Sequence, residues 1–193
     1  MSRFDFAPIL VRLSFMKLVY CLVIFVITLG CKKEVIEVPP SSKEVASVDE
    51  NDLTTRLFKY YIPNPEVLGH FEENEIIDYA IEHNLDLTRS DSGLYYWVVK
   101  NGAGEKLHKR EKLKVDYKGT LLSGQVFDSS YDRGKPIEFN IGEMIAGWNE
   151  GLRYMHHGDE AILIIPSRLG YGVDGYPGYV PPNSILRFDM KIY

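Results

Sequence analysis

The chain has 193 residues, 22 of them Lys or Arg and 27 Asp or Glu, for a formal net charge of −5. Apolar residues make up 45% and charged residues 25%, an ordinary globular balance that excludes wholesale disorder and fibrous classes. The acidic balance speaks against a general nucleic-acid binder, which carries a basic stripe. The only cysteines, Cys21 and Cys31, can supply neither a dense disulfide framework nor a four-cysteine zinc site.

Residues 18–29 read LVYCLVIFVITL, an apolar run broken only at Thr28. It is shorter than the roughly 20 residues a transmembrane helix takes. Arg3, Arg12 and Lys17 precede it, and Gly30-Cys31 and the polar Lys32-Lys33-Glu34 follow. A basic start, a short apolar core and a small residue are the parts of a secretory signal. With the cysteine placed directly after that small residue, residues 1–30 resemble a bacterial lipoprotein signal. That resemblance implies that Cys31 becomes the first mature residue and carries the acyl chains, although Thr28 stands where such signals more often have Leu. Met16-Lys17 offers an alternative start. An uncleaved anchor helix with Cys31 as a bystander competes with this reading, and both put the rest of the chain outside the cytoplasm. Residues 31–55 are polar, carry Pro39-Pro40-Ser41-Ser42 and sustain no period of 2 or 3.6, which predicts a solvated tether.

Residues 56–92 predict an accessory helical segment. Phe58, Tyr60, Tyr61 and Ile62 form an apolar patch interrupted by Pro63 and Pro65. From Phe71 to His83 the period is helical, with Ile77, Ala80, Ile81 and Asn84 on one face and Glu72, Glu73, Glu75, Asp78 and Glu82 on the others. Early carboxylates suit the positive end of a helix, and Asn84 suits a left-handed close.

Residues 93–193 switch to strand patterning. Leu94 to Val99 is aromatic and β-branched. Lys112 to Leu121 alternates, with Leu113, Val115 and Tyr117 on one face, and Ser123-Gly124 predicts a hairpin turn into Val126-Phe127. Ile137, Phe139 and Ile141 alternate next. Ala161, Leu163 and Ile165 alternate in a strand whose other face is also apolar, and Leu186, Phe188, Met190 and Ile192 line the last. One short helix interrupts them, with Trp148, Leu152 and Met155 spaced for a single buried face. These elements predict an α+β fold, a twisted antiparallel β-sheet (a half-barrel) wrapped around one short α-helix.

The usual catalytic patterns are missing. His70, His83, His108, His156 and His157 lack zinc-protease spacing, and His156-His157 suits the negative end of the short helix. There is no phosphate-binding loop and no nucleophile elbow. Ser129 and Ser130 follow Asp128 in a turn, where serines satisfy backbone groups. Such a chain could catalyse only a reaction that needs neither nucleophile nor metal. Rotation about X-Pro is one, with an unaided barrier of about 18–20 kcal/mol.

Four runs carry a resemblance from about Gly93 to Tyr193: VDYKGTLLSGQVFDSS at 115–130, DRGKPIEF at 132–139, IGEMIAGWNEGL at 141–152 and GYGVDGYPGYVPPNSILRFDM at 170–190. In order and with family-like spacing, they resemble the FKBP-type peptidyl-prolyl cis-trans isomerases. The resemblance implies isomerase activity on proline-containing protein clients, with no cofactor and no metal. It implies an aromatic cup with Trp148 as floor, Tyr117, Phe127 and Phe188 as walls, and Phe139 beneath. Asp128 would turn toward the substrate carbonyl region and also pair with Arg133. The Ile145 N–H would donate to a bound carbonyl, and Tyr171 would be the hydroxyl donor at the rim. Ile137, Met144, Tyr176 and Val180 complete the implied substrate surface. Ile137, Met144, Tyr176 and Tyr179 depart from the commonest family residues (Phe, Val, His and Ile), which leaves open the preference before proline and the affinity for macrolide immunosuppressants of the tacrolimus type. A non-catalytic proline-binding or holdase module is the alternative on the same cup. Signal, tether, helix and the SGLYYWVV entry strand together resemble the extracytoplasmic FKBP lipoproteins of the Bacteroidetes group, which include a gliding-motility-associated isomerase. That implies a cell-envelope location facing the periplasm, held by the Cys31 lipid anchor, with the outer membrane favoured because Lys32 is no inner-membrane retention cue.

Overall fold

The computed structural model describes residues 50–193. The expected signal, Cys31 and most of the expected tether lie outside them. Two helices come first, α1 (Glu50–Phe58) and α2 (Leu68–Glu82). Strands β1 (Thr88–Arg89), β2 (Tyr95–Lys100), β3 (Lys112–Leu121), β4 (Val126–Ser129) and β5 (Ile137–Asn140) follow. Helix α3 (Ala146–Gly151) runs into a 3₁₀ turn at Leu152–Tyr154, and β6 (Glu160–Ile165) and β7 (Leu186–Ile192) complete the sheet. All pairings are antiparallel, in the order β1-β2-β6-β7-β3-β4, with β5 also on β3. The expected α+β plan, a twisted sheet around a short helix, is the observed one.

Strand β3 divides its edge between two partners. Lys112 to Val115 pair with β5, and Lys118 to Thr120 pair with β4. The Ser123-Gly124 turn connects β3 to β4, with Gly124 at φ 86° and its N–H bonded to Leu121 O. A positive φ of this kind is what glycine tolerates without a Cβ penalty.

The sheet is covered on both faces. On one, Leu113, Val115 and Tyr117 of β3, Leu163 and Ile165 of β6, and the alternate residues of β7 close around Trp148, Leu152 and Met155. On the other, Tyr95, Ile162 and Ile164 pack against Leu53 and Leu57 of α1 and Ile76, Ile77 and Ala80 of α2. The second apolar face of β6 therefore meets the two helices, as a strand buried on both sides must. Glu73 of α2 ties helix to sheet. Its carboxylate accepts from Arg89 Nε at 2.6 Å and Nη2 at 3.1 Å, and from the Tyr95 hydroxyl.

Several expectations change. Helix α1 begins at Glu50, inside the stretch expected to be tether. Its nine residues include only two buried leucines, too few for a period to register, and it is helical because that pair packs on α2. Helix α2 begins at Leu68, so its carboxylates fall beyond the first turn and do not face the positive helix end. Glu72, expected on an outward face, is buried. The close at Asn84 is as expected. It sits at φ 50°, with Asn84 N–H on Ile81 O and Leu85 N–H on Ala80 O, a Schellman close.

His156 and His157 do not cap a helix, because α3 and its 3₁₀ turn end before them. His157 instead clasps the chain end. Nδ1 faces the Tyr193 main-chain oxygen at 2.8 Å and Nε2 faces Glu111 at 2.6 Å. The Tyr193 oxygen and then Glu111 hold the imidazole above its ordinary value, since both acceptors favour the doubly protonated ring. A raised folded-state value stabilises fully below the unfolded value of about 6.5 and is lost as pH climbs through the folded one. His157→Gln should therefore unfold at lower urea than wild type near pH 6, and the gap should close as pH rises. A gap that widens with pH contradicts this clasp.

Candidate functional site

The cup is built where the first core reaches the surface. Trp148 points from α3 into the sheet and is 1% exposed. Three rings meet it edge-on: Tyr117 at 5.0 Å, Phe188 at 5.2 Å and Phe139 at 5.6 Å between centroids. Phe127 of β4 meets Phe188 at 5.5 Å with planes at 90°. Edge-to-face pairs of this kind add about 0.5–1.5 kcal/mol each beyond area burial. The approach needs Gly119, since a Cβ there would lie 2.7 Å from the Phe127 ring and 3.0 Å from that of Phe188. Tyr117, Phe139, Trp148 and Phe188 are buried, so the rim carries the exposure. Phe127, Asp128, Met144, Ile145 and Tyr171 are half-buried or nearly so, and Tyr176 is exposed. Ile137 is half-buried and packs against the same cluster.

One polar group crowns the wall. The Tyr117 hydroxyl donates to Asp128 Oδ2, and Arg133 Nη1 donates to Asp128 Oδ1. Arg133 Nη2 also reaches the Tyr117 hydroxyl at 2.9 Å, with the guanidinium 5.4 Å from the ring centroid. The pairing of Asp128 with Arg133 follows the sequence expectation, and the coupling to Tyr117 adds to it. Burial and then the Asp128 carboxylate push the Tyr117 phenol up to about 12, so it stays a donor.

The donors at the other side are free. Ile145 caps α3 with extended backbone, and its N–H has no acceptor among the described residues. Asn149 holds the approach to it: Oδ1 accepts from Gly142 N–H at 2.9 Å and Met144 N–H at 3.4 Å, and Nδ2 donates to Met144 O. Burial, then the negative charge of Asp128, raise the Tyr171 phenol. Its hydroxyl likewise has no partner among the described residues, and its ring stacks on Tyr176 at 5.4 Å, with Tyr179 stacked beyond. The Trp148 indole N–H is buried and unpartnered.

Val180 stands apart from the other expected surface residues. It is 4% exposed, with its side chain in the core and its backbone locked to Tyr176 N–H and O. It supports the loop from beneath and offers a ligand almost no surface.

Sequence reasoning misses several residues that hold this arrangement. Ser130 Oγ accepts from Tyr117 N–H at 2.9 Å and donates to Asp116 at 2.6 Å, a more specific role than a generic turn serine. Glu72 is another. It is 3% exposed, and its Oε2 accepts from Ser167 N–H at 3.2 Å while Oε1 is buried without a partner. Ser167 O in turn accepts from Gly170 N–H at 2.9 Å and Gly172 N–H at 2.8 Å, the two neighbours of Tyr171. The accessory helix thus holds the turn that carries the rim tyrosine. No local signal marks such a link, since it spans 95 residues.

Residues 103–193 match the family model of FKBP-type peptidyl-prolyl cis-trans isomerases. FkpA of Escherichia coli (strain K12) is 46% identical over 103 residues, 53% of this chain and 38% of that protein. A probable FKBP-type isomerase of Haemophilus influenzae is 40% identical over 121 residues, 63% of this chain and 50% of that protein. The crystal structure of AtFKBP13 superposes with a TM-score of 0.52 at 37% identity, covering 54% of this chain and 94% of that one. That of FkpA from Escherichia coli gives 0.58 at 34% identity, covering 74% and 62%. Residues 103–193 belong to the FKBP-type peptidyl-prolyl cis-trans isomerase family. The chain spans half or less of the length of these two curated relatives.

Glu72→Ala should loosen the Tyr171 turn without unfolding the sheet. Hydrogen exchange at the Gly170 and Gly172 amides should speed up by about tenfold, the scale of losing one hydrogen bond to a charged group. Glu72→Gln keeps an acceptor and should retain most of the protection. Unchanged exchange in Glu72→Ala would show that the carboxylate does not hold this turn.

Proposed function

We propose that this chain is a prolyl isomerase that assists the folding of extracytoplasmic proteins, binding X-Pro in the aromatic cup. The observation that carries this reading is the pairing of an apolar, ring-lined floor with two unengaged donors at its edge, Ile145 N–H and Tyr171 hydroxyl. The planar amide is charge-separated by resonance, and the twisted amide is less so. Rings that exclude water therefore favour the twisted state over the planar one. The proline ring rests toward Trp148, and the Ile145 N–H donates to a carbonyl of the bound chain. Tyr171 binds the chain at the rim. Asp128, fixed by Tyr117 and Arg133, turns its carboxylate toward the substrate carbonyl region. No proton is transferred and no covalent bond forms, so selective binding is the whole of the catalysis.

A chromogenic proline tetrapeptide should convert from cis to trans faster with the protein than in buffer. Asp128→Val should lower kcat/KM by roughly tenfold, about 1.4 kcal/mol of transition-state binding. Phe127→Ala should do the same while leaving the circular-dichroism spectrum unchanged. Wild-type rates equal to buffer, with the protein folded, would sink the reading. Suppression of client aggregation that survives both substitutions would point instead to a holdase.

The location proposed is the bacterial cell envelope, facing the periplasm, with the Cys31 acyl chains as anchor and the outer membrane favoured. Its support is the arrangement of Leu29-Gly30-Cys31 behind a basic and apolar start. Buried acyl methylenes add about 0.8 kcal/mol each, so several chains hold firmly. Labelled palmitate should enter the wild-type protein in cells and be absent from Cys31→Ser. Label persisting in that variant overturns the anchor.

A further inference from the structure

Two adjoining clefts lie on the outward side of α3, away from the cup. One, of about 360 Å³, is lined by Lys106 and Leu107. The other, of about 680 Å³, is lined by Arg110, Ala146 and Asn149. They share Lys109, Ile141, Arg153 and Tyr154, so they form one bent trough. Lys106, Lys109, Arg110 and Arg153 are exposed, and none has an ion-pair partner among the described residues. Two carboxylates face the same space, Asp91 and Glu150, and Glu150 already accepts from the Ser92 hydroxyl at 2.6 Å. The trough is thus net cationic in a chain whose formal charge is −5.

The backbone holds this charge at some cost. Arg110 sits at φ 63°, where Gly or Asn would be less strained, and its N–H is locked to Ile141 O at 3.1 Å. Leu107, Ile141 and Leu152 lie buried behind the charged edge. A concave trough edged with unpaired cations fits an extended acidic chain. A membrane surface fits it less well, because flat lipid does not enter a concave trough. The trough and the cup share α3. Trp148 points inward from that helix, Ala146 and Asn149 line the trough from it, and Ile145 directly precedes Ala146 in the chain.

We propose that this trough binds an acidic segment of the client polypeptide flanking the proline held in the cup. The inference rests on the isomerase reading for the identity of the client, while the trough's preference for acidic chain is independently measurable. Charge complementarity along an open edge adds specificity and association rate rather than great affinity.

The test uses the full chain and two fluorescent peptides of equal length, one carrying a run of Glu beside a Leu-Pro pair and one with Gln in its place. Anisotropy at low salt should show the Glu peptide binding about fivefold tighter, the scale of a few exposed ion pairs, with the preference falling as salt rises. Lys109→Glu combined with Arg153→Glu should abolish the preference and leave isomerisation of a neutral tetrapeptide unchanged. Equal affinity for the two peptides, or a preference that survives the double variant, overturns the proposal. So does a result in which the double variant changes only binding to phosphatidylglycerol vesicles. If the wild type prefers the Glu peptide but isomerises nothing, the trough stands and the isomerase reading falls. If it isomerises the tetrapeptide but shows no preference, the isomerase reading stands and the trough falls.

Discussion

Strand β6 is apolar on both faces, and the rest of the fold answers that constraint. A strand buried on both sides must be covered twice, here by α3 and the curled sheet on one face and by α1 and α2 on the other. Without the second cover, Ile162 and Ile164 would meet water together with the ring of Tyr95. The accessory helices are therefore part of the same packed unit as the sheet, and they carry the Glu73 clamp on Arg89 and Tyr95.

The cup is built from the rings of the first core. Its floor is made of the rings that fill the interior, so its apolar character comes from packing already present. Only the rim is specialised. Asp128, Arg133 and Tyr117 fix one another on one side, and Asn149 orders the backbone leading to Ile145 on the other. The Ile145 N–H and the Tyr171 hydroxyl, which packing does not use, sit at the edge of the cup.

Much of this is legible in the residues. Alternation in 112–121, 161–165 and 186–192 places the core faces of β3, β6 and β7, because burial on a pleated strand follows the two-residue period. Trp148 on the only short helix among the strands has to face the sheet. Asp128 and Arg133 can be paired because they lie five residues apart across one turn. Less visible is α1, where only Leu53 and Leu57 report burial in ENDLTTRLF. Val180 reads as surface because its neighbours are exposed, yet the hydrogen bonds to Tyr176 fold it inward.

The sequence by itself determined the strand faces, the turn at Ser123-Gly124 and the left-handed close at Asn84, all of which depend on neighbours within a few residues, while the ring set of the cup came from the resemblance. Only the tertiary structure decided where isolated polar groups go. Glu72 reaches Ser167, His157 joins Glu111 to the chain end, and Lys109 and Arg153 meet across one trough. Periodicity reports which side of an element is buried, but the partner of a buried carboxylate or the company of an exposed cation depends on how distant elements pack. Composition alone describes an ordinary globular chain of modest negative charge. The fold gathers several of its cations on one face, beside the helix that supplies the floor of the cup.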